Sequence, residues 1–297
     1  MIDSTQPALP PDRMHRADPA MVDTMLRHVA DRILATQVPL DGLADRERLG
    51  RALSGLIGEE PHDFEDVLSA YVDDLAPTIL SADSPRMFAF IPSAPTKAAL
   101  LFDMVVSAAS LQGISWFEAA GAVMAEGQAL RALADVAGLP AQAGGVFVSG
   151  GSAANLSALV VAREKMRSHR RSAGLPDVPL RVVVSDQAHS SIAKALAITM
   201  MTALVVPTVD GRLDAASLDR ALVGELDDVC AVVATAGTTN AGIIDDIAAA
   251  ARVARERGWW LHVDGAYGGA GLLLPSLRER YAGIEQADSL VMDPHKW

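Results

Sequence analysis

An α/β fold built on a mostly parallel sheet, with helices on both faces, is the class this sequence predicts, and three observations predict it. From residue 145 onward, short β-branched runs (GVFVS, RVVVSD, ALVVP, VCAVVAT, WWLHVD and SLVMD) alternate with stretches of helical periodicity, the pattern of βαβ units. Several of these runs end on a polar residue, namely Ser149, Asp186, Thr235, Asp264 and Asp293. In open α/β sheets ligands bind at the carboxyl ends of the strands, so these residues are expected to converge. The first part of the chain reads instead as helix, which sets a helical N-terminal segment, 1–85, ahead of an α/β domain, 86–297.

The elements follow in order. MIDSTQPALPPDRMHRADPA has neither the basic start nor the apolar block of a secretory signal, and its prolines predict an irregular arm. A cytoplasmic location is the expectation. Asp18 is placed to N-cap a helix with Pro19 at its first position, and apolar residues recur at three and four through DPAMVDTMLRHVADRILATQ. Helical patterns return near 45–57 and 62–80. Pro85, Pro92 and Pro95 then break the pattern in SPRMFAFIPSAPT, a loop that leads into apolar helices near 96–110 and 117–137. The charge-free stretch 195–209 falls short of the ~18 to 20 apolar residues of a membrane helix and reads as buried helix and strand.

Half of the 297 residues are hydrophobic, enough for a sizeable core. The formal net charge of −12 argues against a nucleic-acid surface, since phosphate binding needs clustered Lys and Arg. The one dense basic run, REKMRSHRR, has the spacing of a solvated helix face. A single cysteine, Cys230, lies inside VCAVVATA, so it forms no internal disulfide and reads as a buried structural thiol, compatible with a reducing compartment. Of the 25 basic residues only four are lysines: Lys97, Lys165, Lys194 and Lys296.

Four features carry chemistry. VSGGSAANLSALVVAR sets Gly150, Gly151 and Ser152 between a strand and a helix, where free N–H groups beside a hydroxyl make a phosphate cradle. The spacing is neither G-x-G-x-x-G nor G-x-S-x-G, and a serine N-cap after a glycine turn is the plainer alternative. His189, just beyond a strand in VVVSDQAHSS, is either a helix cap or an imidazole laid against a planar ring. Asp264 ends the apolar strand WWLHVD, and a buried carboxylate there needs a partner: backbone amides, or a protonated ring nitrogen. Lys296 follows the strand SLVMD at the same sheet edge, where partial desolvation would make its neutral, nucleophilic amine accessible. Asp264, His189, Asp293 and His295 show no recognised metal spacing such as H-E-x-x-H, so no metal is expected. Phosphate cradle, ring-stacking imidazole, buried acid and reactive lysine, in that order along an α/β chain, together specify pyridoxal 5′-phosphate.

These residues resemble the group II pyridoxal-phosphate-dependent amino acid decarboxylases, the family of the aromatic L-amino acid, glutamate and diaminobutyrate decarboxylases. PRMFAFIPSAP, GISW, SGGSAANLSALVVAR, SDQAHSS, ATAGTTNAGIIDDI, HVDGAYGG and ADSLVMDPHKW carry the resemblance from about residue 85 to the end. It implies the type I fold of pyridoxal-phosphate-dependent transferases. It also implies that Lys296 attaches the cofactor covalently, that His189 stacks on its ring with Ala266 against the ring, and that Asp264 pairs with the ring nitrogen. Gly151, Ser152 and His295 would hold the phosphate, and Thr239 and Asp293 would share the pocket. Phe90, Ile91, Pro92 and Ser93 would line the substrate side, and Ile114 would reach the neighbouring subunit's site in a homodimer.

The resemblance implies decarboxylation of an L-amino acid to its amine and carbon dioxide. An aldehyde synthase, a carbon–carbon lyase or an aminotransferase on the same scaffold, or an inactive fragment that binds a full-length partner, are the alternatives. Members of the family run on for well over a hundred residues past this lysine, through a C-terminal small domain. The expectation is therefore a truncated chain, inactive and prone to aggregate alone. The apolar FAFIP segment favours an aromatic or other apolar substrate, whereas GTTNAGIIDDI resembles the diaminobutyrate branch as much as the aromatic one.

Overall fold

The computed structural model describes residues 18–38, 44–59 and 61–296. The expected irregular arm before Asp18 lies outside them, as does Trp297. The described residues form two compact units, one running to Phe90 and including Ala94–Leu101, the other made of Ile91–Ser93 and the chain from Phe102 onward.

In the first unit, α1 (Pro19–Leu34) begins as its sequence dictates: the Asp18 carboxylate accepts from the Ala20 amide at 2.8 Å, and Pro19 occupies the first helical position. Helices α2 (Arg46–Ala52) and α3 (Phe64–Ser69) follow, the first shorter than its periodicity suggests. Arg32 grips Asp83 through two bonds of 2.8 and 3.0 Å, and this guanidinium holds the Asp83 carboxyl below its ordinary range.

The remaining elements are α4 (Lys97–Ala108), α5 (Trp116–Ala137), α6 (Gly151–Ser172), β1 (Arg181–Ser185), α7 (Ser190–Thr199), β2 (Thr202–Val206), α8 (Ala215–Ala221), β3 (Val229–Thr235), α9 (Ile247–Arg257), β4 (Trp260–Gly265) and β5 (Ser289–Met292). Ser115 caps α5: its hydroxyl oxygen accepts from the Glu118 amide at 3.3 Å and its proton goes to the Glu118 carboxylate at 2.7 Å. The five strands pair in parallel in the order β2-β1-β3-β4-β5. Every residue of the central β3 is buried, which is why VCAVVAT shows no polar alternation. The period-2 geometry of a strand sends Val182, Val184, Ala231 and Val233 to the face covered by α6 and α7, and Val183, Val232 and Ala234 to the face covered by α8 and α9. In the register, Thr235 lies beside Asp264 and Gly265 beside Met292, so the carboxyl ends of β3, β4 and β5 share one sheet edge.

Two expectations are corrected here. GVFVS is not a strand: the segment is irregular, with Val146 65% and Phe147 48% exposed. β-Propensity expresses itself only against a hydrogen-bonded neighbour, and no strand of the sheet pairs with this one. The basic run on α6 is mostly solvated, but Arg170 is buried and donates to the carbonyls of Pro176 and Asp227, tying the helix end to the next loops. Cys230 is buried as expected, and burial pushes its thiol up to about 12. Among the described residues no helix is long and apolar enough to cross a membrane.

Asp245 holds the loop after β3 in place. Its two carboxylate oxygens accept from the amides of Leu213 (2.9 Å) and Thr235 (2.7 Å), in a site with no solvent exposure. Burial outweighs these bonds and raises its carboxyl from 3.8 to about 6. Between those values the folded chain binds more protons than the unfolded one, so Asp245 lowers stability as pH rises through the window. Denaturant unfolding at a series of pH values is expected to show the native chain losing ~3 kcal/mol relative to Asp245→Asn between pH ~4 and ~7. A difference that does not vary with pH rejects this account.

Candidate active site

The aligned strand ends and the start of α6 enclose a cavity of about 410 Å³. On one side is the glycine turn. Gly150 has φ 139°, a conformation that residues with side chains rarely adopt, and it lets the chain enter α6 directly. The helix closes its first bonds from Ala153 and Ala154 to the Gly150 carbonyl, so the amides of Gly151 and Ser152 have no intrahelical acceptor. A Cβ built on Gly151 would stand 3.2 Å from that of Ala266, so glycine keeps this wall open.

His189 serves as the N-cap of α7: its Nδ1 accepts from the Ser191 amide at 3.2 Å and lies 2.8 Å from the Ser191 hydroxyl. The alternatives of cap and cavity residue are therefore both realised, because the ring also lines the cavity. Asp264 is 5% exposed. Its Oδ2 accepts from Asn155 Nδ2 at 2.9 Å and its Oδ1 from the Ala266 amide at 3.1 Å. A carboxylate has about four acceptor positions, so two donors leave capacity for a further one from the cavity.

Lys296 and Asp293 arrive from the turn after β5, where the Lys296 amide donates to the Asp293 carbonyl at 3.1 Å. The cavity thus brings together Gly151, Ser152, His189, Thr239, Asp264, Ala266, Asp293 and Lys296. His295 is not brought in. Its amide is held by Asp293 Oδ1 at 3.0 Å and its carbonyl accepts from Ser93 at 2.7 Å, so the turn directs the ring outward, with its side chain 94% exposed.

Of the residues expected on the substrate side, Ile91, Pro92 and Ser93 do not line this cavity, and Ile114, expected to reach the neighbouring subunit's site, is 78% exposed. Ser93 is nonetheless tied to the lysine turn through His295, and Phe90 and Ile91 sit at φ 66° and 70°, costly for residues with bulky side chains.

Sequence reasoning missed Asn155 and His262. Asn155 is one helical turn beyond Gly151, and His262 is two residues before Asp264 on the same strand face, so 3.6 and 2.0 periodicity would have found both. His262 is fully buried, which lowers its pKa against the opposing charge of Asp264. Among the described residues no group of three or more His, Cys, Asp or Glu is arranged to hold a metal ion.

Residues 49–297 match the family model described as the pyridoxal-dependent decarboxylase conserved domain. The aromatic-L-amino-acid decarboxylase of Bos taurus is 33% identical over 261 residues, which cover 80% of this chain and 53% of that protein. The crystal structure of mouse CSAD in apo form superposes with a TM-score of 0.84 at 26% identity, covering 93% of this chain and 61% of that one. That of Oryza sativa TDC with PLP and tryptamine does so with a TM-score of 0.80 at 28% identity, covering 95% and 65%. The chain spans about half the length of the curated relatives it matches.

Proposed function

Because the chain belongs to the pyridoxal-dependent decarboxylase family, we propose that the protein removes the α-carboxylate of an L-amino acid as carbon dioxide. The observation that carries this reading is the single cavity lined by a glycine turn at a helix start, an imidazole, a buried carboxylate and a lysine. Those residues fit pyridoxal phosphate: the turn is open where a Cβ would close it, and the carboxylate has acceptor capacity to spare. Pyridoxal phosphate, when bound, supplies the electron sink that accepts the electron pair of the bond broken at the α-carbon.

The chain's own residues have separable tasks. The Gly151 and Ser152 amides and the Ser152 hydroxyl hold the phosphate at the positive end of α6. Lys296 provides the amine for covalent attachment. His189 and Ala266 confine the ring, and Asp264 keeps a proton on the ring nitrogen. Thr239 and Asp293 complete the wall. In the net reaction the carboxylate leaves as carbon dioxide and a proton takes its place on the α-carbon.

The similarity to aromatic-L-amino-acid decarboxylase favours an aromatic side chain on the substrate. We assign the enzyme to the cytoplasm, in keeping with its single unpaired buried thiol, and to a homodimer with shared sites. The exposed apolar side chains of Phe102, Val105, Trp116 and Phe117 support self-association. The test is a panel of L-amino acids given to the protein with pyridoxal phosphate, with carbon dioxide and amine both measured. Equal release of the two from an aromatic amino acid is expected. Release of aldehyde and ammonia in place of the amine would assign a different reaction to the same cofactor.

A further inference from the structure

A chain of buried and half-buried polar groups runs along one face of the sheet, from the start of β4 to Asp264. Trp260 Nε1 lies 2.7 Å from Ser289 Oγ, which lies 2.8 Å from His262 Nδ1. His262 Nε2 is 2.9 Å from Asn155 Oδ1, and Asn155 Nδ2 is 2.9 Å from both Asp264 Oδ2 and Ser191 Oγ. Ser191 in turn meets His189 Nδ1. Asn155, Ser191, His262 and Asp264 are each at most 5% exposed.

The bond directions follow from which groups can donate and from burial. A carboxylate only accepts, so the Asn155 amide nitrogen faces Asp264 and its carbonyl faces His262. His262 must then donate from Nε2. An indole N–H only donates, so Ser289 accepts from Trp260, and its own hydroxyl proton remains available for His262 Nδ1. Full burial disfavours the charged imidazolium, so the ring that donates from Nε2 is neutral and its Nδ1 accepts that proton. Beyond Asn155, Ser191 receives one amide proton and passes its own to His189 Nδ1, which leaves the His189 proton on Nε2.

We propose that Asn155 and His262 are positioning residues: with Ser289 and Trp260 they form a one-directional hydrogen-bond relay. The relay orients the Asp264 carboxylate and holds His189 in a single tautomer. The relay rests on the cofactor reading above. Its members touch the two groups assigned to the cofactor ring, while Ser289 and Trp260 lie outside the cavity lining. A carboxylate that had to rotate or exchange partners on ligand binding would lose part of the binding free energy to reorganisation, and the relay removes that loss.

Two measurements on the full chain test it. Histidine-selective nitrogen-15 NMR without cofactor, with the His262 signal identified by its loss in His262→Gln, is expected to show a neutral ring protonated at Nε2. Titration with pyridoxal phosphate, followed by absorbance, is expected to show roughly 10- to 100-fold weaker binding by Asn155→Asp, which faces Asp264 with a second acid in place of a donor. Ser289→Ala, outside the cavity, should weaken binding by roughly 5-fold and relax the tautomer, whereas Ser289→Thr should restore both. A His262 ring protonated at Nδ1, or unchanged affinity in both Asn155→Asp and Ser289→Ala, overturns the relay. A native chain that takes up no pyridoxal phosphate overturns the cofactor reading, and the NMR result judges the polarity of the relay separately.

Discussion

Lys296→Ala is expected to leave the chain folded and to abolish covalent attachment of pyridoxal phosphate. Three of the four lysines are occupied or placed elsewhere: Lys97 pairs with Asp83 at 3.4 Å, Lys165 lies against Asp288 and over the Trp260 ring, and Lys194 is exposed on α7. Lys296 alone among them lines the cavity with Asp264 and His189. Its side chain holds no core packing, so stability should change by no more than ~0.5 kcal/mol. Borohydride reduction of the native protein followed by peptide mapping checks the assignment. The pyridoxyl group is expected on Lys296, and finding it on Lys97, Lys165 or Lys194 would refute the site.

The second large effect is expected at Asp264, through charge and not through packing. Asp264→Asn retains one oxygen acceptor and nearly the same volume, so cofactor binding stays measurable. It cannot keep a proton on the ring nitrogen as a carboxylate does, and removing a preorganised electrostatic partner of this kind costs ~10²- to 10³-fold in turnover. Steady-state carbon dioxide release at saturating cofactor and substrate measures the loss. Turnover within a few-fold of the native enzyme would show that Asp264 is structural.

That Asp264 and Lys296 meet at one cavity was legible in the sequence because each lies at or shortly after the end of a strand, and a parallel sheet aligns such ends at one edge. The Gly151–Ser152 turn was legible from its glycines ahead of a helical run, although the run before it is no strand of the sheet. His189 was half legible: the same spacing suits a cap and a cavity residue, and only three-dimensional placement revealed that it is both. Asn155 was opaque because an asparagine inside a helix ordinarily faces water, whereas here both its amide protons and its carbonyl are consumed within the core. His262 was hidden in a strand whose hydrophobicity drew the reading to its neighbours. GVFVS was over-read, since alternation and β-branching describe a segment that could pair but not the neighbour it would pair with. His295 failed differently. The resemblance supplied its role, but the bonds made by its backbone to Asp293 and Ser93 decide where its side chain goes.

The strand order has a kinetic consequence. Each of the sheet's pairings is parallel and joins segments separated by an intervening crossover, and the bond between Asn155 and Asp264 spans 109 residues. Among the described residues no two strands of the sheet are joined by a hairpin, so the chain must spend loop-closure entropy before the first strand pair repays it. Topologies of this kind fold slowly and expose unpaired edges while they do so. The candidate cavity draws on the ends of several strands at once, so it comes into existence only after the slowest, most non-local contacts have formed.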